Sequence, residues 1–175
     1  MSTTEPDSAR ATVPAEVPFL DDSDRLSAPS ARGRGAMAIV VNPNGIVLHL
    51  RDDKPSIPHP GCWSLFGGGV EDGEDPRDTV LRELEEELGL TAVRVRPLWR
   101  AVDHGGDMRL LTIFEAHSGM AAAQMVLTEG QACREFTAAR ALELKLAPFC
   151  RRSLRRYAAA EMPGSSRDGE AGQGN

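Results

Sequence analysis

Gly68, Glu74, Arg82, Glu83, Leu84, Glu86, Glu87, Gly89 and Leu90 stand at the spacing G-x5-E-x7-R-E-U-x-E-E-x-G-U, where U is aliphatic. Residues three and four apart on a helix share a face, so a helix here aims Glu83, Glu86 and Glu87 the same way. Crowded carboxylates repel one another and become favourable around cations. Oxygen-only ligands select Mg2+, with Mn2+ as the alternative, over zinc. A Gly-rich stretch, Gly67-Gly68-Gly69, precedes the helix and leaves backbone room for phosphates. The combination points to metal-assisted attack on a phosphorus centre. For the acidic helix alone, a solvated face is an equal reading; the loop and Arg82 shift the balance.

The elements that must position these groups follow from local signals. Ala36–Val41 and Ile46–Leu50 flank the turn Asn42-Pro43-Asn44-Gly45 and read as a hairpin. Asp52–Gly61 is a Pro-bearing loop, and Trp63–Phe66 a short strand running into the glycines. Asp75 is placed to cap a helix whose first residue, Pro76, needs no N–H there. The helix runs to Leu88, where Gly89 supplies a left-handed end. Val80, Leu81, Leu84 and Leu88 form its packing side. Strands are expected over Ala92–Ala101 and Met108–Ala116, with a short one at Met125–Leu127. Helices are expected over Thr137–Leu142 and Pro148–Tyr157. This order implies an α/β sandwich.

The chain has 175 residues, which favours one domain with tails. Residues 1–34 read as a mostly disordered tail, with Val17–Leu20 as a segment able to dock on the body. Residues 35–160 form the domain and 161–175 a flexible end. A net charge of -6 argues against a nucleic-acid partner. Three cysteines without C-x-x-C spacing fit a reducing, cytoplasmic setting. No signal peptide or membrane span is read from the sequence, so no membrane partner is expected.

The nine-position pattern resembles the Nudix box, and the surrounding order resembles a MutT-like Nudix domain over residues 35 to 158. The resemblance implies a Nudix-type α/β/α sandwich with a mixed sheet and a loop–helix–loop catalytic motif. By it, Glu83, Glu86 and Glu87 would bind the metal, and Arg82, with Glu74 as its partner, would hold the glutamates. Gly68 would keep the loop tight. Members often take a further acidic ligand or base from a later loop; Glu129 is the candidate, with Glu135 and Glu115 as alternatives. The base is left open among Glu83, Glu86 and Glu129.

Arg51, Gly67, Gly68 and Glu74 are assigned to the substrate side, Arg51 either facing phosphates or lying on the surface. Trp63 and Phe66 either stack on a base or belong to the core. Asp103 and His104 are ranked low as nucleoside contacts. Arg151, Arg152, Arg155 and Arg156 read as a solvated helix face. The implied activity is hydrolysis of a nucleoside diphosphate linked to another moiety, a small-molecule nucleotide. Marks that the resemblance associates with ADP-ribose, NADH, diadenosine-polyphosphate and coenzyme A enzymes are missing, which leaves (deoxy)nucleoside triphosphates favoured. Nucleotide sugars, ADP-ribose or a non-catalytic nucleotide sensor are the alternatives. An isomerase of the same fold is set aside because no cysteine is suitably placed. A homodimer is left open.

Overall fold

The computed structural model describes residues 17–161. A mixed seven-stranded sheet forms its centre. The strands are β1 (Arg34–Asn42), β2 (Gly45–Leu50), β3 (Trp63–Ser64), β4 (Phe66–Gly69), β5 (Arg94–Val102), β6 (Leu110–His117) and β7 (Ala132–Phe136). The spatial order is β3-β2-β1-β6-β5, with β4 also pairing β1 and β7 pairing β2. Only β1 and β6 run parallel; the other pairings are antiparallel.

Each face of the sheet is covered, which accounts for the nearly continuous apolar run of β1. On one face α2 (Pro76–Leu88) buries Val80, Leu84 and Leu88 against Val40, Phe66 and Phe114. On the other, α3 (Ala138–Glu143) and α4 (Pro148–Glu161) lay Ala141, Phe149, Cys150 and Leu154 on Ile39, Leu48, Trp99 and Ile113. Full burial of each large side chain contributes on the order of 2 kcal/mol. Trp63 and Phe66 both belong to this packing: Trp63 meets Phe136 edge-on and Phe66 is fully buried.

α2 has the ends that its sequence specifies. The Asp75 side chain accepts a hydrogen bond from the Arg77 N–H at 2.8 Å. Gly89, at φ 67°, closes the helix by donating to the Glu85 carbonyl at 2.9 Å.

Four features differ from expectation. First, the part of the presumed tail from residue 17 to residue 33 is structured, while residues 1–16 and 162–175 lie outside the described residues. Phe19 bridges Arg100 of β5, and α1 (Asp22–Ser27) follows with Asp21 as its cap. Second, three of the four arginines on α4 are not a solvated face. Arg152 binds Asp21 and Asp24, Arg156 donates to the Phe19 and Leu20 carbonyls, and Arg151 donates to the Leu142 and Leu144 carbonyls. Third, Met125–Leu127 is not a strand; a 3-10 turn, Ala122–Gln124, precedes it. Fourth, β7, for which the sequence reading assigns no strand, pairs along β2.

Asp24 is fully buried. Its carboxylate accepts from the Val102 N–H at 2.7 Å and from both terminal nitrogens of Arg152 at 2.8 and 2.9 Å. Removing Arg152 strands a buried charge, a defect that costs several kcal/mol when complete. Because Arg152 is partly exposed, we expect Arg152→Ala to lose about 2–4 kcal/mol in urea unfolding, with part of it restored by adding Asp24→Asn.

His49 on β2 is 2% exposed, stacks on Phe66 and has Nε2 3.1 Å from the Leu65 carbonyl. Burial, helped by the charge of Arg51, pushes its imidazole down to about 4 from 6.5. The unfolded chain therefore takes up this proton first as pH falls. The stabilisation from neutral His49 is complete above about pH 6.5 and declines toward pH 4, by at most about 3 kcal/mol. Urea titrations at several pH values should show this slope in the wild type and a shallower one in His49→Phe.

Candidate active site

Gly67 and Gly68 decide where the glutamates of α2 can go. α2 packs on one face of the sheet, yet Glu83 and Glu87 line a cleft whose floor, Met37 and Leu111, belongs to the opposite core. The carboxylates reach it past the glycine backbone of β4. The Gly67 N–H donates to Glu87 Oε2 at 3.0 Å. A Cβ on Gly68 would overlap the Glu83 carboxylate, and one on Gly67 (φ 134°) would overlap the Ala36 carbonyl of β1.

Arg82 organises the near side. Its Nε donates to Glu74 Oε1 at 3.0 Å, and Nη1 donates to Glu83 at 2.8 Å and Glu86 at 3.3 Å. Nη2 completes the fork with Glu74 Oε2 at 3.3 Å and the Gly69 carbonyl at 3.4 Å. The hydrogen bond from Arg82 is the main reason that the Glu74 carboxyl falls to about 2. The expected Arg82–Glu74 pairing is thus present, and it ties the loop before α2 to the helix.

Glu83 and Glu87 show the opposite effect. Burial pushes the Glu87 carboxyl up to about 8, with repulsion from Glu83 and Glu129 adding to it and the Gly67 N–H and Arg51 opposing. Burial raises Glu83 as well, against the pull of Arg82. Glu86 is exposed and engaged with Arg82.

Glu129 lines the same cleft, and its loop is anchored at both ends. Thr128 bonds the Glu86 and Glu87 carbonyls at the end of α2. Gln131 donates from its backbone to Leu50 and from its side chain to Arg51, each at 2.7 Å. Gly130, at φ 88°, makes the turn between them. Glu135 and Glu115 are engaged elsewhere: Glu135 accepts from Asn44 and the Ala122 N–H, Glu115 from Arg96 and His117.

Arg51 enters the cleft with its Nε fixed on the Pro58 carbonyl at 2.9 Å. The cleft encloses about 320 Å³ and contains groups that sequence reasoning missed. Arg109, paired with Asp107 at 3.0 Å, packs across Gly33, Gly35 and Gly69. His59 and Asp103 form a buried pair at 2.8 Å. Asp103, which the sequence ranks low as a nucleoside contact, lines the cleft. His104 turns away toward Asp24, at 3.5 Å. The sequence signal for Arg109 was its place after the Gly105-Gly106 loop; His59 had none beyond its Pro-flanked position.

Among the described residues, no three His, Cys, Asp or Glu side chains are gathered as a finished metal cage. The donors nonetheless suit a hard divalent cation. Glu83 and Glu87 offer carboxylate oxygens held from water, and burial raises their proton affinity more than Arg82, Arg51 and the Gly67 N–H lower it.

Comparisons with known proteins bear on the family and the fold. The model of the NUDIX domain matches residues 31–157. An uncharacterized Nudix hydrolase of Pseudomonas aeruginosa is 34% identical over 121 residues, 62% of this chain and 72% of that protein. An RNA pyrophosphohydrolase of Gluconacetobacter diazotrophicus is 36% identical over 88 residues, 46% of this chain and 52% of that protein. Other curated relatives are matched over less: 27% of the length of Nudix hydrolase 25 of Arabidopsis thaliana. The solution structure of the E. coli ORF135 protein superposes with a TM-score of 0.62 at 24% identity, covering 79% of this chain and 98% of that one, a likeness of fold.

Gly67→Ala should be poorly tolerated, since the new Cβ meets β1 backbone and the φ is one that glycine favours. We expect a loss of about 3 kcal/mol or more, measured by thermal unfolding.

Proposed function

The chain belongs to the Nudix family, and from that premise we propose that it hydrolyses the diphosphate bond of a nucleoside diphosphate linked to another moiety, with (deoxy)nucleoside triphosphates as the favoured substrates. The observation that carries the reading is the convergence of Glu83, Glu87 and Glu129 on one cleft with Arg51 and Arg109. Acids suited to a cation and arginines suited to phosphate oxygens share a space of nucleotide size.

Glu83, Glu86 and Glu87 would hold Mg2+, with Mn2+ as the alternative. When bound, the cation would neutralise diphosphate charge and make water a better nucleophile. The protein's own groups do the rest. Arg51 and Arg109 draw the phosphates into the cleft. Arg82 donates to Glu83 and Glu86 and, itself held by Glu74, fixes their direction. That engagement occupies one oxygen of each, so Glu129, which lines the cleft and which Arg82 does not touch, is the favoured base. It would take the proton of the attacking water, and its double anchoring keeps it aimed.

The test is phosphate and pyrophosphate release, with Mg2+, from nucleoside triphosphates, oxidised nucleotides, ADP-ribose, nucleotide sugars and an RNA with a 5′ triphosphate, the last because relatives are named RNA pyrophosphohydrolase. We expect Mg2+-dependent release from at least one triphosphate. Glu87→Gln should lower the rate by orders of magnitude while melting stays unchanged or rises, because a desolvated carboxylate is replaced by a neutral amide. Unchanged turnover of that variant at saturating Mg2+ would remove Glu87 from the site. Silence across the panel would leave a nucleotide-binding module.

A further inference from the structure

We propose that the end of the cleft formed by His59 and Asp103 reads a planar heteroaromatic base through its exocyclic amino group. The inference rests on the cleft being a nucleotide site and adds the class of base that it accepts.

The placement is suitable. From Gly67 on β4 the sheet steps to Met37 on β1, to Ile113 on β6 and to Trp99 on β5, and Asp103 follows just beyond the end of β5. Asp103 is thus set off from the Gly67–Gly68 backbone both across the sheet and along the strands, and both ends line one cleft. The floor between them, Met37 and Leu111, is apolar, and Phe149 stands beside it with its ring centroid 6.0 Å from that of His59. An apolar slot closed by one polar pair suits a flat ring with a polar edge.

The pair itself has capacity to spare. Asp103 is 4% exposed. Both of its carboxylate oxygens are contacted by the same ring nitrogen, His59 Nε2, at 2.8 and 3.0 Å. A carboxylate offers about four acceptor sites, and among the described residues His59 is the one hydrogen-bond donor to it. An N–H of a bound base can supply a second. Carboxylates accept and do not donate, so the edge selected is one that carries an amino group.

The surroundings are shaped to keep the pair in place. His59 has φ 54°, a left-handed conformation that costs a side-chain-bearing residue energy. Gly105 and Gly106 wrap the pair without positive φ, so glycine serves there to provide room. A Cβ on Gly106 would overlap the Asp103 carboxylate and lie 2.7 Å from His59 Nε2. Behind the wall, Asp24 fixes the Val102 N–H one residue before Asp103.

Matched nucleotides test this without altering the protein. ATP differs from purine riboside triphosphate by its 6-amino group alone, and GTP from ITP by its 2-amino group alone. We expect wild-type kcat/KM to favour the amino-bearing member of at least one pair by roughly tenfold or more, chiefly through KM. Asp103→Asn should reduce that ratio to near unity, whereas His59→Gln, which still donates to Asp103, should keep its direction; thermal unfolding checks both variants. Equal use of both members of both pairs by the wild type overturns the proposal, as does an intact preference in folded Asp103→Asn. Calorimetric binding of the four corresponding monophosphates separates the two readings. An amino preference in binding without hydrolysis supports this inference and removes the hydrolase. Hydrolysis without any preference removes this inference alone.

Discussion

Glu83 and Glu87 carry like charges into a partly desolvated corner, and most of the surrounding architecture can be understood as the means of keeping them there. Burial raises the proton affinity of both groups, and repulsion from neighbouring glutamates, Glu129 among them, adds to it. Against this stand, at Glu83, the hydrogen bond and charge of Arg82 and, at Glu87, the Gly67 N–H and the charge of Arg51. None of these would suffice if the carboxylates could swing out to water. They are held because α2 is fixed at both ends by caps and along its length by Val80, Leu84 and Leu88. An unfavourable cluster is thereby sustained by apolar packing several ångströms away, a common relation between a functional site and its scaffold.

The same constraint explains why β4 is nearly all glycine. The acids approach from one side of the sheet and the cleft opens on the other. Side chains along β4 would close that route, since Cβ atoms at Gly67 and Gly68 would displace the β1 backbone or Glu83. A glycine strand is otherwise a weak sheet element. Here β1 compensates, bonded to β4 on one side and to β6 along eight residues on the other.

Local chemistry was legible in the sequence, and distant partnerships were not. The hairpin about Asn42–Gly45 and helix α2 from Asp75 to Gly89 follow from turn residues, caps and periodicity, all within a few positions. Glu129 and the Arg82–Glu74 partnership are what the resemblance to the Nudix box implies. What escaped notice depends on contacts far along the chain. α1 has six residues and little apolar face, and its order comes from Arg152, 128 positions from Asp24. β7 is short and only half-buried, so its pattern shows no alternation until β2 lies beside it. The arginines of α4 looked like a wet face because their acceptors, two aspartates and several carbonyls, belong to other segments. His59 and Asp103 are 44 residues apart and meet through a positive-φ histidine and a glycine pair.

The segment from Val17 to Leu20 has a consequence beyond its own packing. β5 is the last strand of the sheet in the order given above, and such a strand offers unpaired amides and carbonyls to any extended chain that drifts past. In this molecule the middle of β5 is already occupied: the Arg100 N–H donates to Pro18 at 2.7 Å, and the Arg100 carbonyl accepts from Leu20 at 2.8 Å. The Arg100 guanidinium folds back over the Phe19 ring, 4.1 Å from its centre. A neighbouring copy finds no continuous ladder to extend there, so the strap guards this edge against strand-to-strand joining of molecules in a crowded solution.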